Sequence, residues 1–126
     1  DQAVISDGCI IDRSRICQSL IGVRCLMAPG CRVHRSVLMG ADFYETEESK
    51  RESAAKGIPT MGVGENTRIE SAIIDKNARI GRNVILSPKG LSDGWADEGQ
   101  NVYVRDGIVV VVKNALVEDG TKIGHS

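Results

Sequence analysis

The sequence holds 126 residues, with 16 Lys and Arg against 17 Asp and Glu, for a formal net charge of −1. One domain accounts for that length, and the balanced charge argues against a general nucleic-acid binder, because phosphate-backbone affinity needs a net basic surface or a dense basic patch. The longest aliphatic run, Ile108 to Val112, is far too short to span a membrane.

Aromatic residues are confined to Phe43, Tyr44, Trp95 and Tyr103, so the core must be built from Val, Ile and Leu. Such a composition favours strands over helices. Asp1 is not an initiator Met and no charged-then-apolar leader follows it, so the chain reads as a piece of a longer polypeptide. Cys9, Cys17, Cys25 and Cys31 are spaced by 8, 8 and 6 residues, which fits neither C-x-x-C nor the usual zinc pairings. They are expected to be reduced packing cysteines in a cytoplasmic setting, with no metal.

A repeat dominates the chain. An aliphatic residue with a small or apolar residue four positions later recurs as Val4/Gly8, Ile10/Ser14, Ile16/Leu20, Met27/Cys31 and Val33/Val37. It resumes as Val63/Thr67, Ile69/Ile73, Ile74/Ala78 and Ile80/Val84, then as Val111/Ala115, Val117/Thr121 and Ile123. The step is six, with one step of five from Ile69 to Ile74. A six-residue period with Gly, Asn or Asp between short strands predicts an all-β, left-handed parallel β-helix with three faces per coil. Ile10, Ile16, Val33, Val63, Ile69, Ile80, Val111 and Val117 are its expected interior residues.

Two stretches interrupt the period. Residues 40–60 carry Phe43, Tyr44 and a charged block stopped by Gly57 and Pro59, which predicts a loop with a helical turn. Residues 87–103 have turn chemistry, with Pro88, Gly90, Gly94 and Gly99, and no periodic apolar positions. Ile108 to Val112 reads as a strand covered on both faces or packed beneath an insertion.

Lys-Asn-Ala occurs twice in the same phase, as Lys76-Asn77-Ala78 and Lys113-Asn114-Ala115. If residues 87–107 replace about one face, Ile74 and Val111 share a face and the two lysines are neighbours on stacked coils about 4.8 Å apart. Their ammonium groups would then repel unless solvent, a phosphate or a carboxylate separates them. Two simply solvated corner lysines remain the other reading. His34 is expected to point outward into solvent and His125 to lie at the frayed end. Trp95 reads as a side chain tucked onto the helix face, with a partner anchor as the alternative.

Three blocks carry a resemblance: Leu38-Met39-Gly40-Ala41-Asp42-Phe43-Tyr44-Glu45, Ala72-Ile73-Ile74-Asp75-Lys76-Asn77-Ala78-Arg79-Ile80-Gly81 and Gly107-Ile108-Val109-Val110-Val111-Val112-Lys113-Asn114-Ala115. They resemble, in order, the C-terminal region of the glucose-1-phosphate adenylyltransferase family, especially its plant and cyanobacterial branch. The resemblance implies a parent enzyme that makes ADP-glucose and pyrophosphate from ATP and glucose 1-phosphate with magnesium, for glycogen or starch synthesis. Its chemistry would lie in a preceding nucleotidyltransferase domain, whose G-G-x-G-T-R-L loop, sugar-phosphate lysine motif and paired aspartates are not in this sequence. This chain is therefore expected to be catalytically silent, and to serve in tetramer assembly and in part of an allosteric anion site. The family's effector-binding lysines fall on Lys76 and Lys113, with 3-phosphoglycerate and orthophosphate as expected effectors. Two other readings share the fold: a hexapeptide-repeat acyltransferase, which would need a histidine base, and a purely structural assembly domain.

Overall fold

The computed structural model describes residues 3–125 and winds them into five coils. The first two coils comprise β1 (Ala3–Ile5), β2 (Ile10–Ile11) and β3 (Arg15–Cys17), then β4 (Ser19–Ile21), β5 (Leu26–Met27) and β6 (Arg32–His34). In the third, helix α1 (Glu47–Ala55) separates β7 (Val37–Leu38) from β8 (Gly62–Val63), and β9 (Arg68–Glu70) follows. The fourth consists of β10 (Ala72–Ile74), β11 (Arg79–Ile80) and β12 (Ile85–Leu86). An excursion containing β13 (Ala96–Asp97) and β14 (Val102–Arg105) leads to the fifth, formed by β15 (Ile108–Val111), β16 (Leu116–Val117) and β17 (Lys122–Ile123). Each coil gives one strand to each of three sheets, ordered β1-β4-β7-β10-β15, β2-β5-β8-β11-β16 and β3-β6-β9-β12-β17, and coil-to-coil pairing is parallel. This is the parallel β-helix that the six-residue period predicts.

Register places one aliphatic side chain per strand on the axis. Ile21, Leu38, Ile74 and Val111 stack in the first sheet, Met27, Val63, Ile80 and Val117 in the second, and Val33, Ile69, Leu86 and Ile123 in the third. All twelve are buried. Six of the eight expected interior residues are among them, and Ile16 is half-buried against the core in the terminal coil. Ile10 is a correction: it is 64% exposed. Pairing Ile11 with buried Met27 turns Ile11 toward the axis, and a strand with period 2 must then send Ile10 outward.

The corners explain the step lengths. Where the chain passes from the second sheet to the third, buried Cys31, Thr67 and Val84 follow their interior residues by four, as expected. Between the third sheet and the first, buried Ser19, Ser36 and Ala72 follow by three, so the step shortens to five in three coils rather than once. Leu20 and Val37 are consequently outward strand residues, not corner residues. The serine hydroxyls satisfy the tightened corner: Ser19 Oγ donates to Cys17 O (2.8 Å) and accepts from Ser36 N (3.1 Å), while Ser36 Oγ donates to His34 O (2.8 Å) and accepts from Ala72 N (3.1 Å). Asn66, Asn77, Asn83 and Asn114 turn other corners with φ between 56° and 63°, a conformation asparagine tolerates better than most residues.

Both insertions hold more structure than sequence reading anticipates. The first contains nine helical residues capped by Thr46, whose Oγ1 accepts from Ser49 N (3.0 Å). No residue of α1 is buried, so the insertion is fixed at its base. There buried Glu45 lies 3.0 Å from Arg79 and accepts from Met61 N, and Arg79 also donates to Pro59 O (3.0 Å). The second insertion ends in an antiparallel hairpin of β14 and β15, turned at Asp106-Gly107 with φ of 52° and 76°, and it buries Val102 and Val104. It replaces no face. Leu86 already completes the third sheet, and residues 87–107 are extra chain before β15 rejoins the first.

Cys25 and Cys31 are buried in the core and Cys9 packs against it. Burial pushes the Cys25 thiol up to about 12, with Cys9 and Cys31 adding to the effect, so it stays protonated at neutral pH.

Ile80→Ala should cost about 2–5 kcal/mol of unfolding free energy in urea titration, whereas Ile10→Ala should change it by no more than about 0.5 kcal/mol. The opposite ranking would refute this register. Arg79→Ala should cost about 3–5 kcal/mol by stranding a buried carboxylate, and Glu45→Gln combined with Arg79→Met should recover part of that loss. A double variant no more stable than Arg79→Ala would mean the charge pair is not what pins the insertion.

Candidate functional site

The two lysines of the repeated motif share one corner, where the first sheet turns into the second. Each follows its interior residue by two positions, Ile74 and Val111 are paired, and Asn114 N donates to Lys76 O (2.9 Å). Lys76 and Lys113 thus stand on consecutive coils as the repeat requires. Their backbones turn alike, with φ of 63° at both Asn77 and Asn114.

A third residue enters the corner from the start of the first insertion. Asp42 Oδ1 lies 3.4 Å from Lys76 Nζ, and Asp42 Oδ2 accepts from Asn77 Nδ2 (3.0 Å). Asn77 Oδ1 in turn accepts from Asp42 N (2.9 Å), so the amide grips both the backbone and the side chain of Asp42. The Asn77 hydrogen bond is the main influence holding the Asp42 carboxyl below its usual range. Desolvation opposes it, while the hydrogen bond and charge of Lys76 and the charge of Lys113 reinforce it. Asp42 is therefore a built-in counter-charge to Lys76. Asp42 pairs with Lys76 from the coil before it, whereas exposed Lys113, on the coil after Lys76, forms no ion pair among the described residues.

In the sequence Asp42 stands out only within the block Leu38 to Glu45; the six-residue period stops before it, so spacing does not bring it to the lysines. His34 departs from the solvated side chain expected. It is half-buried, with Nε2 3.1 Å from Gln18 Oε1 and Nδ1 3.6 Å from Glu70 Oε1, and Lys89 lies 3.3 Å from the same Glu70 carboxylate. His125 is exposed on the last coil. Trp95 is half-buried against the core, as the packing reading expects. Among the described residues no three His, Cys, Asp or Glu side chains converge to hold a metal, and no helix is long and apolar enough to cross a membrane.

Comparison with known proteins agrees with the fold. The family described as the GLGC left-handed parallel beta-helix domain matches residues 1–122. The chain belongs to this GLGC β-helix family. It is 45% identical over 122 residues to glucose-1-phosphate adenylyltransferase large subunit 1, chloroplastic/amyloplastic, of Zea mays, a match covering 96% of this chain and 23% of that protein. The resemblance carried by the three blocks is thereby borne out, and so is the left-handed parallel β-helix.

The Asp42 carboxyl should titrate below the ordinary aspartate value of about 3.9 when followed by NMR. Asn77→Ala should move it upward more than Lys113→Ala. Because the folded value is the depressed one, the contribution of Asp42 is present above the ordinary range and is lost as pH falls through its folded midpoint. A midpoint unchanged by Asn77→Ala would remove the grip described here.

Proposed function

We propose that this chain is the β-helix domain of a glucose-1-phosphate adenylyltransferase, and that Lys76 and Lys113 form one half of its allosteric anion site. The carrying observation is the stacked pair of Lys-Asn-Ala corners, in which Asp42 pairs with Lys76 while Lys113 has no ion pair among the described residues. An incoming phosphate or carboxylate would take up that unpaired charge, each lysine acting as a point-charge donor. Small effectors of the 3-phosphoglycerate or orthophosphate type suit this chemistry. The remaining ligands would come from an N-terminal catalytic domain of the same polypeptide.

In this reading the parent converts ATP and glucose 1-phosphate to ADP-glucose and pyrophosphate with magnesium, in glycogen or starch synthesis. The magnesium and ATP would be held outside these residues, and no step of the reaction is assigned to this chain. The partner reading, a catalytic domain and a homotetramer, draws support from the outer face of the first sheet. There Val4, Leu20, Val37 and Ile73 stand in one register column, each at least 36% exposed. A patch of that kind suits a protein partner. A reducing compartment agrees with four free cysteines, and we place the protein in the cytoplasm; the maize relative is by its name chloroplastic/amyloplastic.

In the full-length enzyme, Lys76→Ala or Lys113→Ala should raise the activator concentration for half-stimulation about tenfold, the value of one charge-assisted hydrogen bond. The double variant should lose less than the product of the two, since both lysines contact one anion. Unchanged activation in all three variants would remove the site, and a collapse of unstimulated turnover would give the lysines a structural role instead.

A further inference from the structure

Charge is unevenly placed along the helix. Residues 3–40 carry five arginines and two carboxylates, although the whole chain is close to neutral. On the outer face of the third sheet, Arg15, Arg32 and Arg68 occupy one register column in three successive coils. All three are exposed. Like charges set side by side on adjacent strands, about 4.8 Å apart, destabilise a sheet unless something compensates them.

Compensation from within is sparse. Neither Arg15 nor Arg32 has a side-chain hydrogen bond or ion pair among the described residues. Asp12 is engaged by Arg13, 3.3 Å away, and among the described residues the one further carboxylate felt at the groove is that of exposed Glu65, whose charge acts on Cys31. The two arginines flank a groove lined by Arg13, Ser14, Arg15, Gly30, Cys31 and Arg32. Its floor is fixed: Ser14 Oγ donates to the carbonyls of Asp12 (2.9 Å) and Ala28 (3.0 Å) and accepts from Cys31 N (3.3 Å), and Gly30 N donates to Arg13 O (3.0 Å). Gly30 has φ of 81°, and a Cβ there would run into the Asn66 side chain, so no side chain hangs over the groove from that position.

We propose that this groove is a second anion site, separate from the Lys76 and Lys113 corner, in which the guanidinium groups of Arg15 and Arg32 hold a phosphoryl group between them. The choice of ligand follows from counting acceptors. A carboxylate has two oxygens and is used up by one guanidinium fork, whereas two forks stacked on adjacent coils need the extra oxygens of a phosphate ester or an oligophosphate. Binding relieves the repulsion within the column, so the anion also stabilises the fold.

The test uses inorganic tripolyphosphate as probe and the full-length polypeptide carrying Lys76→Ala and Lys113→Ala, so that the corner site cannot contribute. Calorimetric titration at fixed ionic strength should detect binding, and Arg15→Gln or Arg32→Gln should weaken it about tenfold or more. Arg32→Lys, which keeps the charge and loses the fork, should weaken it as well. Tripolyphosphate should raise Tm, and Arg15→Gln combined with Arg32→Gln should abolish the rise without unfolding the protein. Equal affinity across these variants would overturn the proposal, as would a Tm rise reproduced by sodium chloride at matched ionic strength. Orthophosphate binding as tightly as tripolyphosphate would leave a single phosphoryl group as the ligand; tighter tripolyphosphate would assign an oligophosphate.

Discussion

Everything in this structure depends on the alignment of one inward side chain per strand with its counterpart in the next coil. The strands are only two to four residues long, so no strand is stable alone; each gains its stability from the coil above and below. Fully burying an aliphatic side chain contributes about 1.5–3 kcal/mol, and the three axial columns sum many such terms. Once the columns are fixed, outward positions are fixed too. Lys76 over Lys113 and Arg15 beside Arg32 are consequences of a register chosen by Ile74, Val111, Ile16 and Val33.

How much of this was readable follows the same logic. The period-six aliphatic pattern is a direct image of the axial columns, so fold class and most interior residues could be read from it. Ambiguity arises where two aliphatics adjoin: Ile10-Ile11 and Leu20-Ile21 fit either phase, and only pairing to Met27 and Leu38 decides. Leu86 is the axial residue that the pattern shows least, because the turn chemistry at Pro88 follows at once. The hairpin after it was signalled by Asp106-Gly107, a dipeptide suited to a two-residue turn, but the aliphatic run on one side and Val102-Tyr103-Val104 on the other lack the six-residue period that organised the rest.

The candidate site was half legible for a related reason. Lys76 and Lys113 lie inside the repeat and inherit its geometry, whereas Asp42 lies in an insertion whose path no period describes. What returns Asp42 to the corner is local: Asn77 reaches down one coil to hold it, and Glu45, three residues on, anchors the insertion to Arg79 of β11. An asparagine needed for the left-handed turn thus also positions the counter-charge. Replacing it with glycine would keep the turn and lose the grip, so conformation and electrostatics are separable at that residue.

The rigidity of the stack constrains how an anion bound to it could act. A switch needs an element with two discrete arrangements, and a column of interlocked coils offers none, because shifting any coil would misalign three axial columns together. An anion at the Lys76 and Lys113 corner therefore would not change the β-helix; it would change what the β-helix touches. The corner lies where the first insertion leaves the stack, and that insertion exposes Phe43 and Tyr44 beside Asp42. In the proposed reading the fixed corner supplies two ammonium groups and the moving partner supplies the rest, so that closing of the partner onto the corner, rather than motion within the helix, carries the coupling between effector and chemistry.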